Sequence, residues 1–211
     1  MFNVLITAGG TREDIDPVRG ITNYATGKLG SLIADRFIQG GSTVTYICSK
    51  TSVLPSCTTG QVKIITIQST NQLQKAIKHA LNEEKYDCVI HSMAVSDYAP
   101  VDPPTKKISS NEPYITITLK RLPKVINIIK QIQPDTLLVG FKLLSNACEE
   151  DLIQAAHKQI QSAGSDYVLA NLLEDIDEDK HKAILINKTG IVAHGKTKQE
   201  IAEIIFNEVC I

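Results

Sequence analysis

Hydrophobic positions change their spacing once within the first 39 residues. "FNVLITA" (2–8) is a nearly unbroken apolar run, whereas 28–39 repeats apolar side chains at helical intervals. The first pattern reads as a strand buried on both faces. In the second, Leu29, Leu32, Ile33 and Phe37 form one stripe of a helix with its polar face opposite. The exchange recurs along the chain. It predicts further strands at 43–48, 62–67, 86–92, 137–142 and 166–170, and helices at 70–84, 123–132, 149–162 and 197–209. Ser69 or Thr70 caps the second helix, and Glu149, Glu150 and Asp151 open the fourth, where the helix dipole favours carboxylates.

Two stretches break this rhythm. Residues 98–121 are proline-rich and then alternate as "YITITLK", the pattern of an antiparallel strand or arm. Residues 183–194 read as a hairpin turning at Lys188-Thr189-Gly190. Apolar strands separated by helices imply a mostly parallel sheet covered on both sides. The expected architecture is a single Rossmann-like α/β domain over 1–211: three layers, an inserted flap at 98–121 and an antiparallel arm or hairpin.

Composition narrows the function classes. Across 211 residues the net charge is −1, so no global basic field exists to hold nucleic acid or an anionic membrane. The apolar runs are far shorter than a membrane span, and the chain opens on a strand rather than a signal segment. Cys48, Cys57, Cys88, Cys148 and Cys210 are scattered without a Cys-x-x-Cys spacing. Reduced, mostly structural thiols in a cytoplasmic protein fit that pattern.

Candidate chemistry collects at the carboxyl ends of the predicted strands, where open parallel sheets bind ligands. The longest such segment follows the first strand. Gly9 and Gly10 let backbone approach a ligand, and Gly27 and Gly30 bracket the first turn of the next helix, whose free amides attract phosphate. Arg12, Arg19 and Lys28 could form a local anion site there. The spacing matches neither a dinucleotide fingerprint nor a Walker A loop, since six residues separate Gly20 from Gly27 and Leu29 follows Lys28. A surface loop whose glycines only make turns fits that spacing equally well. After the fourth strand come Ser96 and Asp97; two lysines, Lys106 and Lys107, follow a proline pair; Phe141 and Asn171 close later strands. Each also has an ordinary reading as turn, solvated charge or core. His91 is given no role, and no metal-ligand cluster, serine-nucleophile elbow or basic–aromatic surface occurs.

Taken together, "ITAGGTREDIDPVRGITNYATGKLG", "MAVSDYAPV" with the following "KKI", "VGFKL" and "DYVLAN" resemble phosphopantothenate–cysteine ligase, in the family's order and over nearly the whole chain. The resemblance implies activation of the 4'-phosphopantothenate carboxylate as an acyl-nucleotide by CTP (or ATP) with Mg²⁺, then amide formation with cysteine. It also implies a homodimer with the flap and arm in its interface, and a free-standing form without flavin. Residue by residue, Asn23 matches the asparagine beside the acyl-phosphate, and Arg19 the substrate loop. Gly10, Ala25, Gly27, Gly30, Met93, Ala94, Asp97, Phe141 and Asn171 match the nucleotide site, and Lys107 the flap lysine that neutralises charge on the intermediate. No side chain is assigned to the metal.

There are departures. Met93 stands where alanine is usual and Ala25 where many relatives have serine. Leu122-Pro123-Lys124 replaces Asn-Pro-Asp, and of two helix lysines only Lys158 has a counterpart, with Ala163 at the other place. The opening loop resembles the bacterial members, which use CTP, whereas "LPKV" and "FKL" resemble the animal ones, which use ATP; the expectation is CTP. The rivals are a short-chain nicotinamide-dependent reductase, for which Tyr24 and Lys28 have the right spacing in the wrong place, and a non-catalytic nucleotide-binding module.

Overall fold

The computed structural model describes residues 1–56, 62–177 and 180–210. The first strand, β1 (Asn3–Ala8), leads into a small hairpin of β2 (Arg12–Asp14) and β3 (Gly20–Thr22), then α1 (Lys28–Gln39). Next come β4 (Thr43–Ser49), β5 (Val62–Ile67), α2 (Thr70–Glu83) and β6 (Cys88–His91). A second hairpin, β7 (Tyr98–Pro100) with β8 (Leu119–Arg121), precedes a 3-10 turn (Val125–Ile128) that runs into α3 (Ile129–Ile132). The chain continues through β9 (Leu137–Leu144), α4 (Glu149–Ala163), β10 (Tyr167–Leu172), β11 (Ala183–Asn187), β12 (Gly190–Gly195) and α5 (Lys198–Val209).

Eight strands form one sheet in the order β12-β11-β10-β9-β6-β1-β4-β5. From β10 to β5 all neighbours are parallel, and β11 and β12 add an antiparallel edge. Alternation along β1 sorts its side chains between two layers, because successive residues of a strand point to opposite faces. Val4, Ile6 and Ala8 meet Ile33 and Phe37 of α1 and Ile201 and Ile205 of α5. Leu5 points the other way, to Leu73 and Ile77 of α2 and Ile129 of α3. Leu152 and Ala156 of α4 cover Val168, Ala170, Ile184 and Ile186 further along that face. Burial of each such aliphatic side chain stabilises the fold by about 1.5–3 kcal/mol. Between α1 and α5, Phe37 stacks edge-on with Phe206 at 5.1 Å, while Arg36 lies 3.5 Å over that ring and pairs with Glu203.

The expected three-layer, mostly parallel architecture is the one observed, with three local differences. The connection after β1 contains β2 and β3, whose three-residue strands are too short to leave a periodic trace. The helix expected at 123–132 starts as a 3-10 turn at Val125. Pro123 keeps Leu122 out of helical conformation, and the β-branched Val125, Ile126 and Ile128 weaken the first turn. In the arm Leu119–Arg121 pairs with Tyr98–Pro100, and among the described residues the alternating stretch 114–118 has no partner strand. The hairpin at 183–194 forms as expected, and Gly190, at φ +136°, begins its return strand. Cys48, Cys88, Cys148 and Cys210 are free thiols, and Cys57 lies outside the described residues. Among the described residues no helix is long and apolar enough to cross a membrane.

Candidate active site

Strand order reverses at β1: β4 and β5 lie to one side, β6 and β9 to the other. A reversal of this kind opens a crevice beyond the carboxyl ends of the two central strands. Here the two chains stay joined past the sheet. The Ala94 N–H donates to the Gly9 carbonyl (2.8 Å) and the Thr11 N–H to the Ala94 carbonyl (3.1 Å). Below them, buried hydroxyls lock the crevice floor. Thr11 Oγ1 accepts from the Ser96 N–H at 2.8 Å and lies 3.2 Å from Thr70 Oγ1 at the start of α2. Thr7 Oγ1 lies 2.9 Å from His91 Nδ1 and accepts from the Met93 N–H at 3.3 Å. Burial lowers the His91 pKa to about 4, so its ring is neutral and part of the floor.

The amino end of α1 faces this crevice; Thr26 Oγ1 accepts the Lys28 N–H at 3.3 Å, and no acidic residue stands in the first turn. The remaining first-turn amides and the positive dipole end suit an anion. Two glycines allow the approach. Gly27 holds the turn at φ +76°, and a Cβ on Gly30 would stand 2.5 Å from the Ala8 Cβ. The loop after β4 braces that turn: the Val53 N–H donates to the Thr26 carbonyl (2.9 Å), and Ser52 Oγ donates to the Ala8 carbonyl (3.2 Å) and meets Ser49 Oγ (2.7 Å). Ser49 and Ser52 were not singled out from the sequence, because nothing local distinguishes two serines after a strand.

The long connection folds back over the crevice. Asn23 Nδ2 donates to the Val95 carbonyl at 3.3 Å, and the Asn23 carbonyl would lie 2.9 Å from a Cβ on Gly10. Ala25 flanks the same glycine, its Cβ 3.7 Å from that position. The asparagine is therefore anchored where β1 and β6 end, with its side chain exposed to the crevice mouth. The expected cluster of Arg12, Arg19 and Lys28 does not form. Arg12 spans its own hairpin, Nε 3.3 Å from Asp14 Oδ1 and Nη2 donating to the Val18 carbonyl at 3.4 Å. Arg19 pairs with buried Asp16 and donates to the Ile108 carbonyl at 3.1 Å, while Lys28 is exposed at the helix start. Lys106 and Lys107, just before Ile108, are both exposed.

The remaining candidates divide. Ala94 is part of the crevice wall. The Met93 side chain is 6% exposed and packed in the core with Leu73 and Ile129, which leaves the expected role to its backbone. Its N–H is held by Thr7 Oγ1. The Asp97 carboxylate is engaged by Lys124 Nζ, the lysine in the departing Leu122-Pro123-Lys124 segment. Phe141 of β9 packs partly into the core cluster shared by α1 and α5. Asn171 of β10 is 6% exposed and lines a cavity of about 200 Å³ with Glu149, Lys182 and His194. A larger cavity of about 390 Å³ lies between Ile15, Pro100, Ile108 and Thr116 under the flap, and includes none of the expected site residues. Tyr24, wholly exposed, does not join Lys28 in a buried pair. Among the described residues no three metal-binding side chains converge.

The family model of the DNA/pantothenate metabolism flavoprotein C-terminal domain matches residues 2–211. The chain belongs to this family. It is 40% identical over 207 residues to the coenzyme A biosynthesis bifunctional protein CoaBC of Thermococcus kodakarensis, covering 98% of this chain and 50% of that protein. The chain spans about half the length of the curated relatives it matches. The crystal structure of the DNA/pantothenate metabolism flavoprotein from Streptococcus pneumoniae superposes with a TM-score of 0.91 at 33% identity, covering 100% of this chain and 99% of the other. The C-terminal domain of a CoaBC protein follows at TM-score 0.75 and 26% identity, covering 99% and 93%. Of the sequence motifs quoted above, the first runs from β1 through the long connection into α1, "KKI" lies on the flap, and "VGFKL" and "DYVLAN" lie on β9 and β10.

Proposed function

We propose that the domain is a phosphopantothenate–cysteine ligase acting in coenzyme A biosynthesis. The observation that carries this reading is Asn23, tethered to Val95 over Gly10 in the connection that leads into the amino end of α1. In this reading the helix amides receive the nucleotide phosphates, and the nucleoside lies towards Phe141 and Asn171 across Gly10, Ala25, Gly27, Gly30, the Met93 backbone, Ala94 and Asp97. The substrate carboxylate attacks the α-phosphate and pyrophosphate leaves. The cysteine amine then attacks the acyl carbon, and the nucleoside monophosphate departs with the bonding electrons.

An amide suits the position of Asn23, since it donates to anhydride oxygens without competing as a nucleophile. Arg19 sits beside the substrate carboxylate, and Lys107 offsets the charge that builds on the acyl-phosphate. The catalyst's main task is to align two anions that repel each other. CTP is the expected nucleotide. Mg²⁺ would screen its phosphates when bound; among the described residues no three metal-binding side chains converge and Lys124 engages Asp97, so the phosphates would supply most of its ligands. A homodimer is part of the proposal, supported by the exposed Tyr98 and Leu119 on the β7–β8 hairpin and Tyr114 and Ile115 on the stretch before it closes.

The test incubates the protein with phosphopantothenate, cysteine, magnesium and either CTP or ATP. Pyrophosphate release that requires phosphopantothenate is expected, with CMP the greater product. NADPH oxidation without nucleotide cleavage would sink the ligase reading.

A further inference from the structure

Asp16 lies in the turn between β2 and β3, on the outside of the sheet, yet it is 1% exposed. Its Oδ1 accepts the Val18 and Arg19 N–H groups, each at 2.8 Å, and so closes its own turn. Its Oδ2 accepts the N–H of Ile108 at 3.1 Å, from a residue 92 positions further along the chain. Arg19 completes the exchange. Its Nη2 donates to the Ile108 carbonyl at 3.1 Å, while Nη1 stays 3.7 Å from Asp16 Oδ2. Both backbone groups of one flap residue are thus taken by side chains of the crossover.

The rest of the flap is loosely tied. Its base is closed by the Val101 N–H donating to the Thr118 carbonyl at 3.0 Å. Among the described residues, the hydrogen bonds that join 102–117 to the body of the molecule are the two at Ile108. Burial by itself would raise the Asp16 carboxyl, but the N–H groups of Val18, Ile108 and Arg19, with the Arg19 charge, outweigh it and hold the pKa below the usual value. The carboxylate is therefore charged at neutral pH.

We infer that Asp16 is a positioning residue: with Arg19 it latches the flap at Ile108 and so sets the placement of Lys107 over the crossover. The N–H that Asp16 accepts belongs to the peptide plane joining Lys107 to Ile108, so the latch fixes the orientation of the lysine's own peptide. A single-residue tie also leaves the flap free to lift on either side of it. The link to Lys107 rests on the ligase reading given above; the latch itself does not.

Asp16→Asn separates the parts. The amide oxygen can still close the turn, but its NH₂ group meets the Ile108 N–H donor to donor. Hydrogen exchange of the full chain should show the Ile108 amide opening about tenfold faster in Asp16→Asn, with β1 and β6 unchanged. Turnover should fall about tenfold with a smaller change in the KM for nucleotide, and Asp16→Glu should restore part of it. Ile108→Pro removes the flap donor, and with it the exchanging amide, so it should reproduce the fall in turnover and serves for that readout if Asp16→Asn does not fold. Unchanged exchange at Ile108 in Asp16→Asn would overturn the latch. Faster exchange with unchanged turnover would overturn its positioning role. A wild-type protein that releases no pyrophosphate would defeat the ligase reading and with it the link to Lys107, while the exchange result still decides the latch.

Discussion

Gly30 and Ala8 meet where no added side chain fits: a Cβ on Gly30 would stand 2.5 Å from the Ala8 Cβ and 3.0 Å from Ser92 Oγ. That contact seats the first turn of α1 directly on the end of β1. Gly30→Ala must push the helix end away from the crevice. The strain of overpacking is about 1–3 kcal/mol, offset by up to about 1 kcal/mol from the better helix propensity of alanine. A lower melting temperature and a weaker nucleotide affinity are expected, measured by thermal unfolding with and without CTP. Unaltered affinity would argue that the α1 end holds no phosphate.

Asn23→Asp conserves size but puts a carboxylate beside the proposed acyl-phosphate. Amide formation should fall by about tenfold or more, with little loss of stability because the side chain is exposed. Lys107→Gln should likewise lower turnover more than stability. Pyrophosphate release and denaturant midpoints, measured on the same preparations, separate the two effects. Equal losses in both measurements would return Lys107 to the role of a solvated surface charge.

His91 gives a pH signature. Its pKa is lowered by burial to about 4, against 6.5 for an ordinary histidine. Between those values the unfolded chain takes up a proton that the folded chain refuses, so stability falls as pH drops from 6.5 towards 4. The full loss from this one residue is on the order of 3 kcal/mol. His91→Gln should flatten that part of the stability–pH curve. Some slope should remain from His181, whose pKa burial also lowers to about 4. An unchanged slope would show that His91 is not held neutral.

The arm offers a separate test of assembly. Tyr114 is 89% exposed and Ile115 48%, on a stretch whose alternation finds no partner strand among the described residues. Ile115→Lys should convert the proposed dimer to a monomer at micromolar concentration, read by sedimentation, without altering the far-ultraviolet spectrum of the fold. A monomeric parent protein would remove the proposal.

Much of the scaffold is legible without coordinates. Helix α1 runs over 28–39 as its apolar stripe demands, Ser69 Oγ accepts the Gln72 N–H to cap α2, and β5 spans 62–67. These features depend on side chains within a few positions of one another, so period and cap chemistry suffice to read them. The small hairpin β2–β3 is not legible, because three-residue strands carry no period.

Site placement divides along the same line. Family motifs singled out Asn23, Gly27, Gly30 and Lys107 one by one, but no spacing rule pairs Asp16 with an amide 92 residues away or buries Met93 while leaving Ala94 on the wall. Nor does the chain alone reveal that Lys124 reaches Asp97, or that Ser52 braces the turn before α1. The sequence by itself determined the longer strands and helices and the apolar faces they turn to the core, since local periodicity decides both. Only the tertiary structure decided which strand ends adjoin and which loops lie over them, because those contacts join residues that no local preference brings together.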